Sequence, residues 1–168
     1  MNQKIAQNLK KVRSQIKKKK EPDQRVRLVA VTKTRSPEQI SAAIEAGVLS
    51  IGENRVQEAE LKFPEITKIN RVEKRLIGQL QSNKIKKAIR LFDTIDSVDS
   101  TRLAEKISKA ASTIKKTQRV LIQVNTSEEK TKGGFKDGDI KEMLLCFKYN
   151  NIKIEGLMTI GPTKPDNN

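Results

Sequence analysis

The sequence lacks histidine entirely and has one cysteine among its 168 residues. Without histidine the chain cannot build a Ser–His–Asp triad, a His–Cys nucleophile pair or a Cys–His zinc finger. One cysteine cannot form an internal disulfide, and Cys146 lies between Leu145 and Phe147. We therefore expect a packed thiol in a protein of the reducing cytoplasm.

Long apolar stretches are also missing. No run of 18 apolar residues occurs, so no segment is expected to span a membrane. The first twenty residues have no apolar signal-peptide core, and export is not expected. The absence of a phosphate-loop motif or a dinucleotide glycine fingerprint argues against a nucleotide enzyme.

Basic residues are in excess, with a formal net charge of +15. Residues 1–27 hold ten basic and two acidic side chains and therefore +8 of that charge, including the tract 17–20 of four lysines. Such a tract beside a helix can bind nucleic acid through its phosphates. Four phenylalanines and one tyrosine leave little for base stacking, however. We favour a solvated helix end and keep a basic nucleic-acid-binding protein as an alternative.

Short apolar runs alternate with helical patterns after residue 27. The runs are continuous, which indicates strands buried on both faces, as in a parallel sheet covered by helices. They predict strands at 28–31, 49–52, 76–78, 92–98, 120–124 and 152–160.

The clearest predicted helix begins at a capping box. Ser36 supplies the N-cap hydroxyl, proline follows it, Gln39 takes the third helical position, and Gly47 can end the helix in the left-handed conformation. Further helical stripes lie at 56–63, 85–92, 103–114 and 140–147, and an amphipathic helix precedes the first strand. The pattern predicts one domain, either a doubly wound α/β sheet or a (β/α) barrel.

In both architectures ligands bind at the carboxyl ends of the strands. The residues of interest near or after the ends of the predicted strands are Lys33, Asn54, Ser82, Asn83 and Met158. A lysine beside the strand end and near the cation Arg35 is suited to act as a nucleophile or to form a Schiff base. Each residue also has a structural interpretation, as a solvated lysine, a helix cap or a packing methionine.

Six segments, in order and with matching spacing, resemble the pyridoxal phosphate homeostasis protein family of alanine racemase-like barrels. They are 29–34, 51–58, 77–84, 92–99, 120–125 and 156–162. The resemblance implies a TIM-type (β/α) barrel that holds pyridoxal 5′-phosphate as a Schiff base on Lys33. It also implies a monomer with a role in vitamin B6 and amino-acid homeostasis and without established turnover. We expect Asn54, Ser82, Asn83 and Met158 to complete the cofactor site, without a metal.

Two departures from the family pattern modify these expectations. Lys74-Arg75-Leu76 replaces an aromatic–His–Phe run before strand three. Family members also continue for roughly 50–60 residues past Asn168, enough for two strand–helix units. We therefore expect residues 1–168 to form one barrel domain with about six of eight units, incomplete at its C-terminus. Its first and last strands are then unpaired edges through which chains can associate.

A racemase-like enzyme acting on amino acids is a further alternative. Racemisation needs a second acid/base group on the opposite face of the cofactor. Tyr149, the only tyrosine, falls on a predicted outer helix. The residues therefore favour a binding protein over a racemase.

Overall fold

The computed structural model of the chain describes residues 2–127, 129 and 133–161. Within these residues, helices and strands alternate along the chain as the sequence predicts. The helices are α1 (Asn2–Lys19), α2 (Pro37–Glu45), α3 (Val56–Lys62), α4 (Ile85–Leu91), α5 (Thr101–Thr113) and α6 (Ile140–Leu145). The strands are β1 (Ala30–Val31), β2 (Ser50–Glu53), β3 (Glu73–Leu76), β4 (Thr94–Val98), β5 (Gln118–Asn125), β6 (Phe135–Lys136) and β7 (Ile152–Met158).

All strands pair in parallel, in the order β1-β2-β3-β4-β5-β7, and the short β6 pairs with the end of β5. The spatial order follows the chain order and never reverses, which is the arrangement of a (β/α) barrel rather than of a doubly wound sheet. Among the described residues β1 pairs only with β2, and β7 only with β5. The two edge strands that the sequence predicts are therefore present.

Apolar side chains form one core between the sheet and its helices. The sheet side of this core, which we call the helix-covered face, consists of Ile51, Leu76, Ile95, Val120 and Ile122, each at most 1% exposed. They join one cluster with apolar residues of α2, α4 and α5. Because side chains alternate along a strand, the intervening residues lie on the opposite, open face.

The capping box of α2 is confirmed. The Gln39 backbone N–H donates to Ser36 Oγ at 3.4 Å, and the Ser36 N–H donates to Gln39 Oε1 at 3.2 Å. Gly47 follows the helix with φ of 95°, the left-handed conformation that glycine adopts without strain.

The structure differs from the predicted elements at four main points. The third strand is Glu73–Leu76 rather than 76–78, because charged side chains on its open face hide the strand from an apolar pattern. The first strand is reduced to Ala30–Val31, and the short β6 was not predicted. Tyr149 lies just beyond the 3₁₀ turn Cys146–Lys148 rather than on a helix.

Two features are absent from the described part of the chain. No helix there is both long and apolar enough to cross a bilayer. The same residues contain no group of three acidic or cysteine side chains placed to hold a metal ion.

Candidate functional site

A cavity of about 430 Å³ lies at the carboxyl ends of the strands. Three of the predicted site residues, Lys33, Asn54 and Met158, line it together. They come from positions after β1, after β2 and at the end of β7, so these three strand ends meet at one cavity. The other lining residues are Val31, Ile77, Gly78, Gln79, Gln123, Gly133 and Ile160.

Lys33 is the only amine on the described wall of this cavity. Its side chain is exposed and makes no hydrogen bond or ion pair with the described residues. Val31, two residues earlier, is 51% exposed on the same open face. The lysine amine is therefore free to react with a ligand in the cavity.

The loop that carries Lys33 is anchored by the ammonium group of Lys62, the last residue of α3. The Lys62 ammonium lies 2.7 Å from Glu53 Oε1 and 2.8 Å from Glu58 Oε1. It also donates to the carbonyl oxygens of Thr32, at 2.9 Å, and Arg35, at 3.3 Å. We call Glu53, Glu58 and Lys62 the loop clamp, since one ammonium group ties both ends of the turn around Lys33 to strand β2 and helix α3.

The loop clamp also fixes a strained residue next to Lys33. Thr34 has φ of 63°, an unfavourable conformation for a β-branched side chain. Its backbone N–H donates to Glu58 Oε1 at 2.7 Å, which compensates for part of that strain. The Lys62 hydrogen bond is the largest cause of the lowered pKa of Glu58, and this keeps the accepting carboxylate ionised.

Glu53 is the buried member of the loop clamp, with an exposure of 0%. Its Oε1 accepts from the Thr32 hydroxyl at 2.7 Å and faces Lys62, whereas its Oε2 has no hydrogen-bond partner among the described residues. A buried carboxylate depends strongly on the cation that pairs with it. Sequence reasoning missed this pair, because no local pattern links residues 53 and 62.

Two hydrogen bonds and one close backbone approach shape the wall of the cavity that contains Gly78, Gln123 and Gly133. Gln123 Nε2 donates to the Gly133 carbonyl at 2.7 Å, and Ser97 Oγ donates to the Gly78 carbonyl at 2.7 Å. A Cβ atom on Gly78 would overlap the backbone of Asn54, so only glycine allows the ends of β2 and β3 to approach this closely.

Ser82 and Asn83 are not among the residues that line this cavity. They begin the 3₁₀ turn Ser82–Lys84, where Ser82 Oγ accepts from Lys106 Nζ at 2.9 Å and Asn83 is exposed. Neither side chain caps the turn, whose N-cap residue is Gln81. The structure thus separates these two residues from Lys33, Asn54 and Met158.

The open face below the cavity carries an ion-pair network. Arg75 makes two hydrogen bonds to the Asp96 carboxylate, at 2.8 and 3.0 Å, and a third to Glu73 at 3.0 Å. Arg119 lies 2.7 Å from Glu73 and 2.8 Å from Glu155. Side chains of β3, β4, β5 and β7 are thereby joined across the sheet. Arg75 belongs to the segment that departs from the family pattern.

The network shifts the pKa values of its two central carboxyl groups in opposite directions. Burial opposes ionisation of Glu73, but hydrogen bonds and charges from Arg75 and the charge of Arg119 lower its pKa from 4.5 to about 2. Burial dominates at Asp96 and raises its pKa in spite of the Arg75 contacts. Glu73 is therefore the carboxylate that this network stabilises most.

Comparison with known proteins identifies related chains. A family model described as alanine racemase, N-terminal domain, matches residues 2–168. A pyridoxal phosphate homeostasis protein of Vibrio alginolyticus is 37% identical over 164 residues, covering 93% of this chain and 70% of the relative. One of Synechocystis is 38% identical over 138 residues, covering 82% and 63%. The chain thus spans about two thirds of the length of these relatives.

Solved structures give the same result. PipY of Synechococcus elongatus without PLP superposes with a TM-score of 0.85 at 36% identity, covering 95% of this chain and 72% of that one. PipY with PLP bound gives 0.82 at 34% identity, covering 96% and 73%. An alanine racemase of Clostridium difficile shares the fold, with a TM-score of 0.74 at 21% identity, covering 94% and 41%. The predicted alanine racemase-like fold and the predicted family are confirmed.

Proposed function

This chain belongs to the pyridoxal phosphate homeostasis protein family, and from that premise we propose that it binds pyridoxal 5′-phosphate in the Lys33 cavity and acts in vitamin B6 and amino-acid homeostasis. The observation that carries the proposal is the free Lys33 amine in a cavity of about 430 Å³ at the strand ends. A relative with 34% identity, PipY, has been solved with PLP bound.

The residues of the cavity fit this cofactor. Its volume lies within the range of small-molecule sites. One wall offers the Lys33 amine and the amides of Asn54 and Gln79, and apolar side chains such as Ile77 and Met158 offer contact area for an aromatic ring. When bound, the cofactor supplies an electrophilic aldehyde on an electron-withdrawing pyridine ring.

We assign a role to each residue that contacts the cavity. Lys33 would hold the cofactor through a Schiff base, and the loop clamp would keep the lysine at the strand end. Asn54 would orient polar groups of the ring, and Met158 would pack against it. A cofactor role for Ser82 and Asn83 stays a prediction, because their side chains lie outside this wall.

Binding is a better-supported function than racemisation. Tyr149 packs against the core, and Lys148 Nζ lies 5.3 Å from the centre of its ring. It is not on the described wall of the cavity. Among the described residues the cavity wall offers no second acid/base group, which racemisation requires.

We also propose a cytoplasmic location and a chain that binds neither membrane nor nucleic acid. Cys146 is a free, fully buried thiol, and burial raises its pKa. Such a thiol is inert and needs no oxidising compartment. The family resemblance supports a monomer, with association through β1 and β7 as the competing state.

Titration with pyridoxal phosphate tests the proposal. The wild-type chain should develop the visible absorbance of a Schiff base, and borohydride should remove it. Lys33→Ala should not develop the band. Lys86→Ala, which removes an exposed lysine of α4, should behave as the wild type. A band of equal intensity in Lys33→Ala, with circular dichroism showing a folded chain, would overturn the assignment.

A further inference from the structure

A second cavity, of about 620 Å³, lies at the opposite end of the sheet from Lys33. Its walls are the C-terminal half of α1, the connection from α1 to β1, and the turn before β2. Leu28 and Leu49 lie just before β1 and β2, so this cavity opens at the amino ends of the strands. In (β/α) barrels that end generally serves stability and not ligand binding.

Three arginines line this cavity, and no acidic residue does so in the described part of the chain. Arg13 uses one N–H of its guanidinium group to bind the Gly47 carbonyl at 2.6 Å. Arg27 uses one to bind Glu73 at 3.2 Å. Arg25 makes no hydrogen bond or ion pair with the described residues. Most N–H donors of the three groups therefore remain available.

Arg27 already has Glu73 as its counter-ion. Arg13 and Arg25 have no carboxylate partner among the described residues, so a bound anion would offset their charge. Guanidinium groups match phosphate and carboxylate oxygens in bidentate geometry, which makes arginine the preferred residue for such ligands. Residues 1–27 also hold +8 of the net charge of +15, so the surrounding field attracts anions.

The rest of the wall is apolar and only partly covered. Leu49 is 69% exposed and Val26 is 49% exposed, and Ile16, Leu28 and Val48 continue the apolar surface. An inorganic ion would leave this surface in water. A ligand with an anionic head and an apolar body would bury it, at about 0.8 kcal/mol per CH₂ group. Among the described residues no aromatic side chain lines the cavity for base stacking.

We propose that this cavity, which we call the arginine cavity, binds a small phosphate ester with an apolar body. The phosphate would contact Arg13, Arg25 and Arg27, and the apolar body would lie on Val26 and Leu49. The site is separate from the Lys33 cavity and does not depend on pyridoxal phosphate.

Calorimetric titration with hexyl phosphate tests the proposal, with inorganic phosphate as the head-group probe. Hexyl phosphate should bind at least about tenfold more tightly than inorganic phosphate. Arg25→Gln should weaken both ligands by about tenfold. Leu49→Ser should weaken hexyl phosphate by about fivefold and leave inorganic phosphate unchanged. Arg102→Gln, an exposed arginine of α5, is the matched control and should change neither.

Further controls distinguish binding in the arginine cavity from binding in the Lys33 cavity, and a small phosphate ester from other anionic ligands. Lys33→Ala should bind hexyl phosphate as the wild type does, and Arg25→Gln should keep the visible band with pyridoxal phosphate. Equal affinity of hexyl and inorganic phosphate, or equal losses in Arg25→Gln and Arg102→Gln, would overturn the proposal. So would failure to bind hexyl phosphate in a chain that binds an RNA oligonucleotide or anionic vesicles through Arg25.

Discussion

The two faces of the parallel sheet are built from opposite chemistry. The helix-covered face presents fully buried aliphatic side chains to α2, α4 and α5. The open face presents the network around Glu73, Arg75 and Arg119, and above it the Lys33 cavity. The same strands therefore contribute apolar side chains to the stabilising core on one face, and charged and ligand-binding side chains on the other. Four substitutions test that division, from the largest expected effect to the smallest.

Phe92→Ala should have the largest effect on stability. Phe92 is 1% exposed, and its ring meets Phe63 edge-to-face at 5.6 Å. Removing a buried aromatic ring leaves a cavity and should lower the free energy of unfolding by about 4 kcal/mol. Denaturant unfolding measures this. Phe147→Ala makes the same change at a 64%-exposed site and should stay within about 0.5 kcal/mol of the wild type. Equal losses would deny that the apolar core between the sheet and its helices carries the stability.

Lys62→Met should rank second, because it leaves Glu53 as an unpaired buried carboxylate. We expect a loss of about 3 kcal/mol in the free energy of unfolding, and a weaker visible band with pyridoxal phosphate because the Lys33 loop loses its anchor. Glu53→Gln in the Lys62→Met background should recover part of the stability. Lys87→Met breaks an exposed pair with Glu60 and should cost at most about 0.5 kcal/mol. If the two lysine variants behaved alike, the loop clamp would be an ordinary surface pair.

Glu73→Gln tests the open face through its dependence on pH. The folded pKa of Glu73 is lowered to about 2, so its carboxylate stabilises the fold above its ordinary value of 4.5, and the effect is lost as the pH falls towards 2. We expect the variant to be less stable by about 2 kcal/mol at neutral pH, after allowance for solvent screening. The difference should shrink between pH 4.5 and about 2. A difference that stays constant over that range would show that ionisation of Glu73 is not the cause.

Leu157→Lys should have the smallest effect on stability and a visible effect on association. Leu157 lies on the edge strand β7 and is 69% exposed. Charge on an edge strand opposes pairing with another chain. We expect any self-association in sedimentation experiments to weaken by about tenfold, with a stability change below about 0.5 kcal/mol. Leu61→Lys, at a 74%-exposed site on α3, should leave association unchanged. A wild-type chain that stays monomeric at all concentrations would remove the edge strands as interaction sites.

The fold could be predicted where its causes are local. The capping box of α2 and the left-handed Gly47 depend on residues within a few positions of one another, and both are confirmed. The position of strand β3 was predicted wrongly, because its charged residues are neutralised by distant partners. Arg75 pairs with Asp96 on β4 and Glu73 pairs with Arg119 on β5, each more than twenty positions away in the sequence. Hydropathy reports the side chain and not its partner, so a strand with a charged face escapes it.

In the candidate site, too, features that follow from the order of strands could be predicted, whereas features that depend on distant contacts could not. That Lys33, Asn54 and Met158 line one cavity could be predicted, because parallel strands bring their carboxyl ends to one edge and this rule needs no contact information. Ser82 and Asn83 obey the same rule, but the turn after β3 carries them away from the cavity. The loop clamp was missed, since only the fold brings Lys62 to Glu53 and to the carbonyl oxygens around Lys33.

The central claim is that Lys33, on the open face, is the residue that holds pyridoxal phosphate. The most direct measurement is peptide mass spectrometry of the chain after incubation with one equivalent of pyridoxal phosphate and reduction with borohydride. The fold predicts a single major phosphopyridoxyl adduct on Lys33, with the half-buried Lys84 and the exposed Lys86 essentially unmodified. An adduct spread over the surface lysines in proportion to their exposure, with Lys33 no more modified than the others, would contradict it.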